Sequence, residues 1–121
     1  MPRGRESLAI CTVVLIAAGC GDGQHFRLDA TRACLNAHGY KTSSENNWLF
    51  KPSEGTLDVT FGRRYVSLNF GKDAREARRI RDSALKAGGS QWPIGARGNV
   101  AYVWSAGAKV QVDRVLECLR S

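Results

Sequence analysis

The strongest constraint on the fold is the alternation of apolar and polar residues in TLDVTFGRRYVSLNF, residues 56–70. The alternation on both sides of Gly62 and Arg63 has the period of β-strands with one buried face. A two-residue turn there would place Val59 opposite Val66 and all the apolar residues on one face, and a four-residue loop would preserve the same faces. The segment therefore predicts an antiparallel hairpin and leaves its loop length open.

The next segment, residues 71–89, has the pattern of an amphipathic helix. Asp73 and Glu76 have the spacing of an N-terminal capping box, and Gly88 is a favourable residue for ending a helix. The face expected to be buried is formed by Ala77, Ile80, Ala84 and Ala87. The opposite face is expected to be basic with two carboxylates among the cations, and it comprises Arg75, Arg78, Arg79, Lys86, Glu76 and Asp82.

Two further helices are predicted. The first starts at a capping residue, either Asp29 or Thr31, and stops at Gly39. The last runs from about Lys109 to Leu119, where apolar residues recur with helical spacing.

Three short segments are predicted to be the remaining strands. WLFK, residues 48–51, is apolar and is followed by Pro52. SQWPI and NVAYVW, residues 90–94 and 99–104, flank a GARG sequence that is typical of a turn. The second of these is apolar at nearly every position, as expected for a strand that is covered on both faces.

The order of these elements predicts an α+β fold. We expect a single small domain in which a mainly antiparallel sheet is packed by three helices on one of its faces. The chain has 121 residues, of which 43% are hydrophobic and 24% charged. This size and composition are those of one folded domain and not of a disordered chain.

The N-terminal segment has the organisation of an export signal. Arg3 and Arg5 precede an apolar run at residues 8–18, and small residues follow. A helix over this run would span about 16 Å, roughly half of the hydrocarbon core of a membrane. We therefore expect the segment to be cleaved and not to serve as a permanent transmembrane anchor.

The sequence AAGC at Ala17 to Cys20 resembles the lipobox of bacterial lipoproteins. The resemblance implies that cleavage occurs after Gly19 and that Cys20, acylated on its sulfur, becomes the new N-terminus. The family prefers Leu where this chain has Ala17, and ordinary signal peptidase cleavage after Gly19 is the alternative. The implied organisation is a lipoprotein signal peptide at residues 1–19, a short tether at 20–28 and the α+β domain at 29–121.

The cysteine count agrees with the lipobox resemblance. The chain has four cysteines; if Cys11 is removed with the signal and Cys20 carries lipid, Cys34 and Cys118 remain as an even pair. An exported protein meets an oxidising compartment, so we predict a disulfide between Cys34 and Cys118. Ordinary cleavage would instead leave Cys20 as an unpaired third thiol.

Catalytic chemistry is weakly indicated. Cys34 and His38 are four residues apart on a predicted helix, so a small envelope hydrolase that uses this pair is an alternative function. Pairing of Cys34 with Cys118 favours a protein that is not an enzyme. The sequence contains no phosphate-binding loop or zinc-ligand spacing, and we expect no cofactor and no metal. Residues 97–104 only partly match an RNA-recognition strand, so no nucleic-acid partner is expected.

The net charge of +7 raises the question of anionic partners. The candidate anion-binding residues are Arg63, Arg64, Arg75, Arg78 and Arg79. The alternative is an ordinary solvated helix surface. The sequence as a whole predicts an exported cell-envelope lipoprotein that faces outside the cytoplasm, is anchored in the membrane by lipid on Cys20 and carries a small non-catalytic binding or structural domain. Its expected partners are the membrane and either an envelope protein or an anionic polymer.

Overall fold

The computed structural model describes residues 24–44, 50–88 and 93–121. Within these ranges the elements follow in the order α1 (Leu28–Ala37), β1 (Lys41–Ser43), β2 (Thr56–Phe61), β3 (Arg64–Phe70), α2 (Ala74–Gly88), β4 (Ile94–Arg97), β5 (Val100–Trp104) and α3 (Lys109–Leu116). The strands form one sheet in the order β1-β2-β3-β5-β4, and all neighbouring strands are antiparallel. The predicted α+β class is confirmed.

The hairpin of β2 and β3 is formed as predicted. The strands meet at a two-residue loop, Gly62 and Arg63, and Val59 lies opposite Val66. Gly62 has φ 65°, a left-handed conformation that glycine adopts without steric cost. The structure thereby selects the shorter of the two loops that the alternation allows.

Helices cover both faces of the sheet. The larger core lies between one face and helices α1 and α3. The largest residues buried there include Leu35, Leu57, Leu68, Phe70, Val100, Val112, Val115 and Leu116. On the other face, α2 packs Ala77 and Ile80 against Ala101 of β5 and Ala96 of β4. The expectation that the three helices share one face is therefore wrong.

The nearly continuous apolar sequence of β5 results from this arrangement. Val100 belongs to the core beneath α1 and α3, whereas its neighbour Ala101 contacts α2. Successive residues of a strand point to opposite faces, so a strand with helices on both faces buries residues at adjacent positions. β5 accordingly lies between β3 and β4 and not at an edge.

The predicted disulfide between Cys34 and Cys118 is present. It joins α1 to the segment that follows α3, with the Cα atoms 5.5 Å apart and a sequence separation of 84 between the two cysteines. The bond thus links the first and last helices of the domain.

The strand predicted at residues 48–51 is not observed where the structure describes it. Phe50 lies in a turn and Lys51 has φ 48°, while residues 48 and 49 lie outside the described residues. The edge strand is instead β1, in which Thr42 lies opposite Val59. Three polar residues carry no alternating apolar signal, so their strand conformation comes from pairing with β2.

The strand predicted at residues 90–94 is shifted toward the C-terminus. Ile94 begins β4, which includes most of the GARG sequence that is typical of a turn. Residues 90–92 lie outside the described residues. The turn consists of Gly98 and Asn99, because Arg97 of β4 pairs with Val100 of β5.

Helix α1 begins before either of its predicted caps. Arg27 is the N-cap residue, and its side chain makes no capping hydrogen bond. Asp29 lies in the first turn, where its carboxylate is 2.7 Å from Arg27 Nη2. Thr31 is buried, and its hydroxyl accepts a hydrogen bond from the backbone N–H of Arg120 at 3.1 Å. Both polar residues therefore serve contacts other than the cap.

No helix in the described part of the chain is long and apolar enough to cross a membrane.

Candidate functional site

The outward surface of α2 carries a cluster of basic side chains. Its side chains line a depression of about 410 Å³, and the lining residues are Arg75, Arg78, Arg79, Asp82, Ser83 and Lys86. The helix presents this surface to solvent because Ala77, Ile80 and Ala84 are buried on its other side. We call these six residues the α2 basic face.

Positive charge dominates this face, since four of its six residues are cations and one is a carboxylate. Asp82 Oδ1 lies 3.0 Å from Nε of the adjacent Arg81, so its charge is already shared. Within the described ranges, Arg75 and Lys86 form no ion pair. Guanidinium groups bind phosphate and carboxylate with paired N–H donors, so the face is chemically suited to anions.

The structure divides the predicted anion-binding residues into two groups. Arg75, Arg78 and Arg79 lie together on the α2 basic face as expected. Arg63 and Arg64 belong to the β2–β3 hairpin and are not among the residues that line the depression. The guanidinium of Arg64 lies instead beside Gly107, in the loop before α3.

Glu76, which the sequence places on the basic face, is buried. Its Oε2 accepts hydrogen bonds from the backbone N–H and the hydroxyl of Ser53, each at 2.8 Å, and its Oε1 accepts one from the N–H of Lys72 at 2.7 Å. One half of the predicted capping box is present, because Asp73 Oδ1 accepts a hydrogen bond from the backbone N–H of Glu76 at 2.8 Å. Glu76 therefore fastens the start of α2 to the loop before β2.

The surroundings of Glu76 determine its ionisation. Burial by itself raises the pKa of the carboxyl group, because the charged form loses water. The hydrogen bonds from Lys72 and Ser53 and the charge of Arg79 outweigh burial, so the net pKa lies below the ordinary value of 4.5. The carboxylate is thus stabilised as an ion, holds the start of α2 in place and partly offsets the charge of Arg79.

The predicted Cys34 and His38 pair is brought together, and Cys118 joins it. His38 Nδ1 lies 3.9 Å from Cys34 Sγ and 3.7 Å from Cys118 Sγ. The same nitrogen lies 2.9 Å from the backbone oxygen of Cys34. A carbonyl oxygen can only accept, so this contact is a hydrogen bond in the tautomer that carries its proton on Nδ1.

In the observed state neither cysteine of this cluster is a free nucleophile or a thiolate metal ligand. The three ligand atoms of Cys34, His38 and Cys118 lie within 4.8 Å of one another. Thiolates are the nucleophiles and metal ligands of cysteine chemistry, and both sulfurs are consumed in the disulfide.

Asn99 is an important residue that the sequence reasoning did not single out. It is fully buried in the β4–β5 turn and donates from Nδ2 to the backbone oxygens of Phe26, at 3.0 Å, and Gly71, at 2.8 Å. It thereby connects the N-terminal segment to the residues that lead into α2. A turn asparagine is too common to predict such contacts. The burial of Glu76 could have been predicted, because residues 76, 80 and 84 lie on one side of the helix.

The predicted lipidation site, Cys20, lies outside the described residues, as does Cys11. The described cysteines are both in the disulfide, and none of them is free. No known protein family, curated protein or solved structure matches this chain significantly.

Proposed function

We propose that this protein is an exported cell-envelope lipoprotein, anchored by lipid on Cys20, whose domain is a non-catalytic binding or structural module. The observation that carries the proposal is the disulfide between Cys34 and Cys118. Structural disulfides are typical of proteins that mature in oxidising compartments outside the cytoplasm. Export is also what the N-terminal segment predicts.

The disulfide also supports the role of Cys20. Once Cys34 and Cys118 are paired, Cys20 has no partner cysteine in the mature chain if Cys11 is removed with the signal. The AAGC sequence that resembles a lipobox then supplies a reason for a cysteine at this position. Lipid attachment accounts for the cysteine without leaving an exposed free thiol in an oxidising compartment.

The test compares Cys20→Ala with the matched control Cys11→Ala in a bacterial host that processes lipoproteins. The wild-type chain and Cys11→Ala should be found in the membrane fraction, with a mature mass that includes acyl chains and begins at Cys20. Cys20→Ala should carry no acyl mass. An unacylated wild-type protein that begins at residue 20 would refute the lipid anchor and favour ordinary cleavage.

The hydrolase alternative requires a free thiol at Cys34, and the disulfide bond opposes it. Alkylation of the unreduced protein followed by peptide mass analysis tests this point. We expect no alkyl group on Cys34 or Cys118 before reduction and one on each after it. Stoichiometric alkylation of Cys34 in unreduced protein would support the hydrolase alternative.

A further inference from the structure

We propose that the α2 basic face docks onto the phosphate headgroups of anionic lipids in the bilayer that holds the anchor. This inference rests on the proposed lipid attachment at Cys20, because the anchor is what keeps the domain close to the membrane surface. Three properties of the domain support it: where the tether joins the fold, the length of α2 and the charge of its outer face.

The tether joins the domain next to the start of α2. Asn99 binds the backbone of Phe26, at the end of the tether, and that of Gly71, three residues before α2 begins at Ala74. The six residues from Cys20 to Phe26 can span at most about 22 Å. Phe26 is therefore held within that distance of the lipid, and the Asn99 bridge places Gly71, just before α2, next to Phe26.

Helix α2 is long enough to present an extended surface. Its 15 residues extend about 22 Å at 1.5 Å per residue. From Arg75 to Lys86 the basic positions span about 16 Å, so the charges form an elongated face and not a compact pocket. Such a face is better matched to the plane of a membrane than to one small anion, for which enclosing buried charges would be expected.

The charge of the face favours anionic lipid. Four cations accompany a single carboxylate on the face, and the ionised Glu76 offsets only part of the charge of Arg79. A basic residue close to an anionic membrane strengthens partitioning about fivefold. With lipid on Cys20, even modest attraction would orient the domain, because the anchor keeps the local concentration of headgroups high.

The experiment measures side-chain labelling on the full-length protein reconstituted in vesicles. One set of vesicles contains phosphatidylcholine alone, and the other also contains phosphatidylglycerol. Water-soluble reagents for lysine and arginine are applied, and mass spectrometry measures the labelling rate of each residue. Labelling of Arg75 and Lys86 should slow at least about threefold in the anionic vesicles and recover at about 1 M salt, where the Debye length is about 3 Å.

Lys109 and Arg114 provide the internal control. They lie exposed on α3, which packs on the sheet face opposite α2. Their labelling should differ little between the two kinds of vesicle. Equal labelling of α2 in both vesicles, or equal slowing on α2 and α3, would overturn the proposal.

A pair of double variants separates local docking from net charge. Arg75→Glu with Lys86→Glu and the control Arg63→Glu with Arg114→Glu change the net charge equally. The first should abolish the lipid-dependent protection of Arg79, and the control should retain it. Equal loss of protection in both variants would show that the effect depends on the net charge of the protein and not on the α2 basic face.

Two further measurements distinguish a polymer ligand from a lipid ligand, and docking from anchoring. If a soluble anionic polymer added to phosphatidylcholine vesicles protects Arg75 as strongly as phosphatidylglycerol does, the ligand is a polymer and the membrane proposal is wrong. Acylation is read separately, as the mass of the N-terminal peptide. Loss of docking with the acyl mass present therefore refutes this inference alone, whereas absence of the acyl mass refutes the proposed anchor.

Discussion

Asn99 binds both backbone groups of Phe26. Its Oδ1 accepts the N–H of Phe26 at 2.6 Å, and its Nδ2 donates to the carbonyl oxygen of the same residue at 3.0 Å. Asn99 is completely buried and Phe26 is 6% exposed, so neither backbone group has ready access to water in place of this contact. The N-terminal end of the domain is therefore held by a residue 73 positions later in the chain.

Replacing Asn99 with alanine should lower the free energy of unfolding by about 3 kcal/mol, because buried polar groups lose their partner. Chemical denaturation measures the change. Asn36→Ala is the control: Asn36 is exposed and accepts one hydrogen bond from Thr42, so its loss should cost about 1 kcal/mol or less. Equal effects of the two variants would show that the Asn99 contacts contribute little.

Glu76→Gln should destabilise the protein by about 1 to 3 kcal/mol at neutral pH, because an amide nitrogen would replace an oxygen that accepts an N–H or hydroxyl. Chemical denaturation again measures the change. The exposed Glu117→Gln is the matched control, with an expected change within about 0.5 kcal/mol.

The effect of Glu76→Gln should also depend on pH. The pKa of Glu76 is lower in the folded protein than its ordinary value of 4.5. Such a carboxyl group stabilises the fold above its unfolded pKa, and the stabilisation is lost as the pH falls through the folded pKa. The stability difference between wild type and Glu76→Gln should therefore be largest near neutral pH and shrink in acid. A difference that grows below pH 4.5 would contradict this sign.

Removing the disulfide with Cys34→Ala and Cys118→Ala should lower the free energy of unfolding by about 2 to 5 kcal/mol. The closed loop is long, because the cysteines are 84 positions apart, so the unfolded chain gains much conformational freedom when the bond is absent. Thermal or chemical unfolding measures the loss. Unchanged stability in the double variant would show that the bond does not constrain the native protein.

Two glycines with positive φ should respond differently to alanine. Gly39 has φ 82° and nothing within 4 Å of the position of a Cβ atom, so Gly39→Ala should cost only backbone strain, about 1 kcal/mol. Gly98 has φ 54°, and a Cβ atom there would lie 2.7 Å from the backbone oxygen of Gln24. Gly98→Ala should cost about 3 kcal/mol, because steric overlap adds to the strain. Equal stabilities of the two variants would refute this crowding.

Elements whose sequence pattern lies within one short segment were predicted correctly, and elements that depend on distant residues were not. The hairpin of β2 and β3, helix α2 and the run of β5 were identified from periodicity within short segments. Strand β1 was missed because its three residues become a strand by pairing with β2. The start of β4 was misplaced because Gly95 and Ala96, typical turn residues by composition, pair with Tyr102 and Ala101.

The candidate site was partly predictable for the same reason. The cationic residues of α2 come together because they belong to one helix, which the sequence alone reveals. Arg63 and Arg64 were grouped with them only by charge, and the structure places them in a separate hairpin. Glu76 was assigned to the wrong side of the helix, because its burial depends on donors from Ser53, 23 residues earlier.

The sequence by itself determined the α+β class, the hairpin and its faces, the amphipathic helix and the pairing of Cys34 with Cys118. The first three follow from local periodicity, and the pairing follows from the cysteine count if Cys11 and Cys20 are assigned as the lipobox resemblance implies. Only the tertiary structure decided that α2 packs on the sheet face opposite α1 and α3, that Glu76 is buried and that Asn99 joins Phe26 to Gly71. These features depend on contacts between residues far apart in the chain. Such residues come together only in the folded protein, so no local pattern in the sequence reveals their contacts.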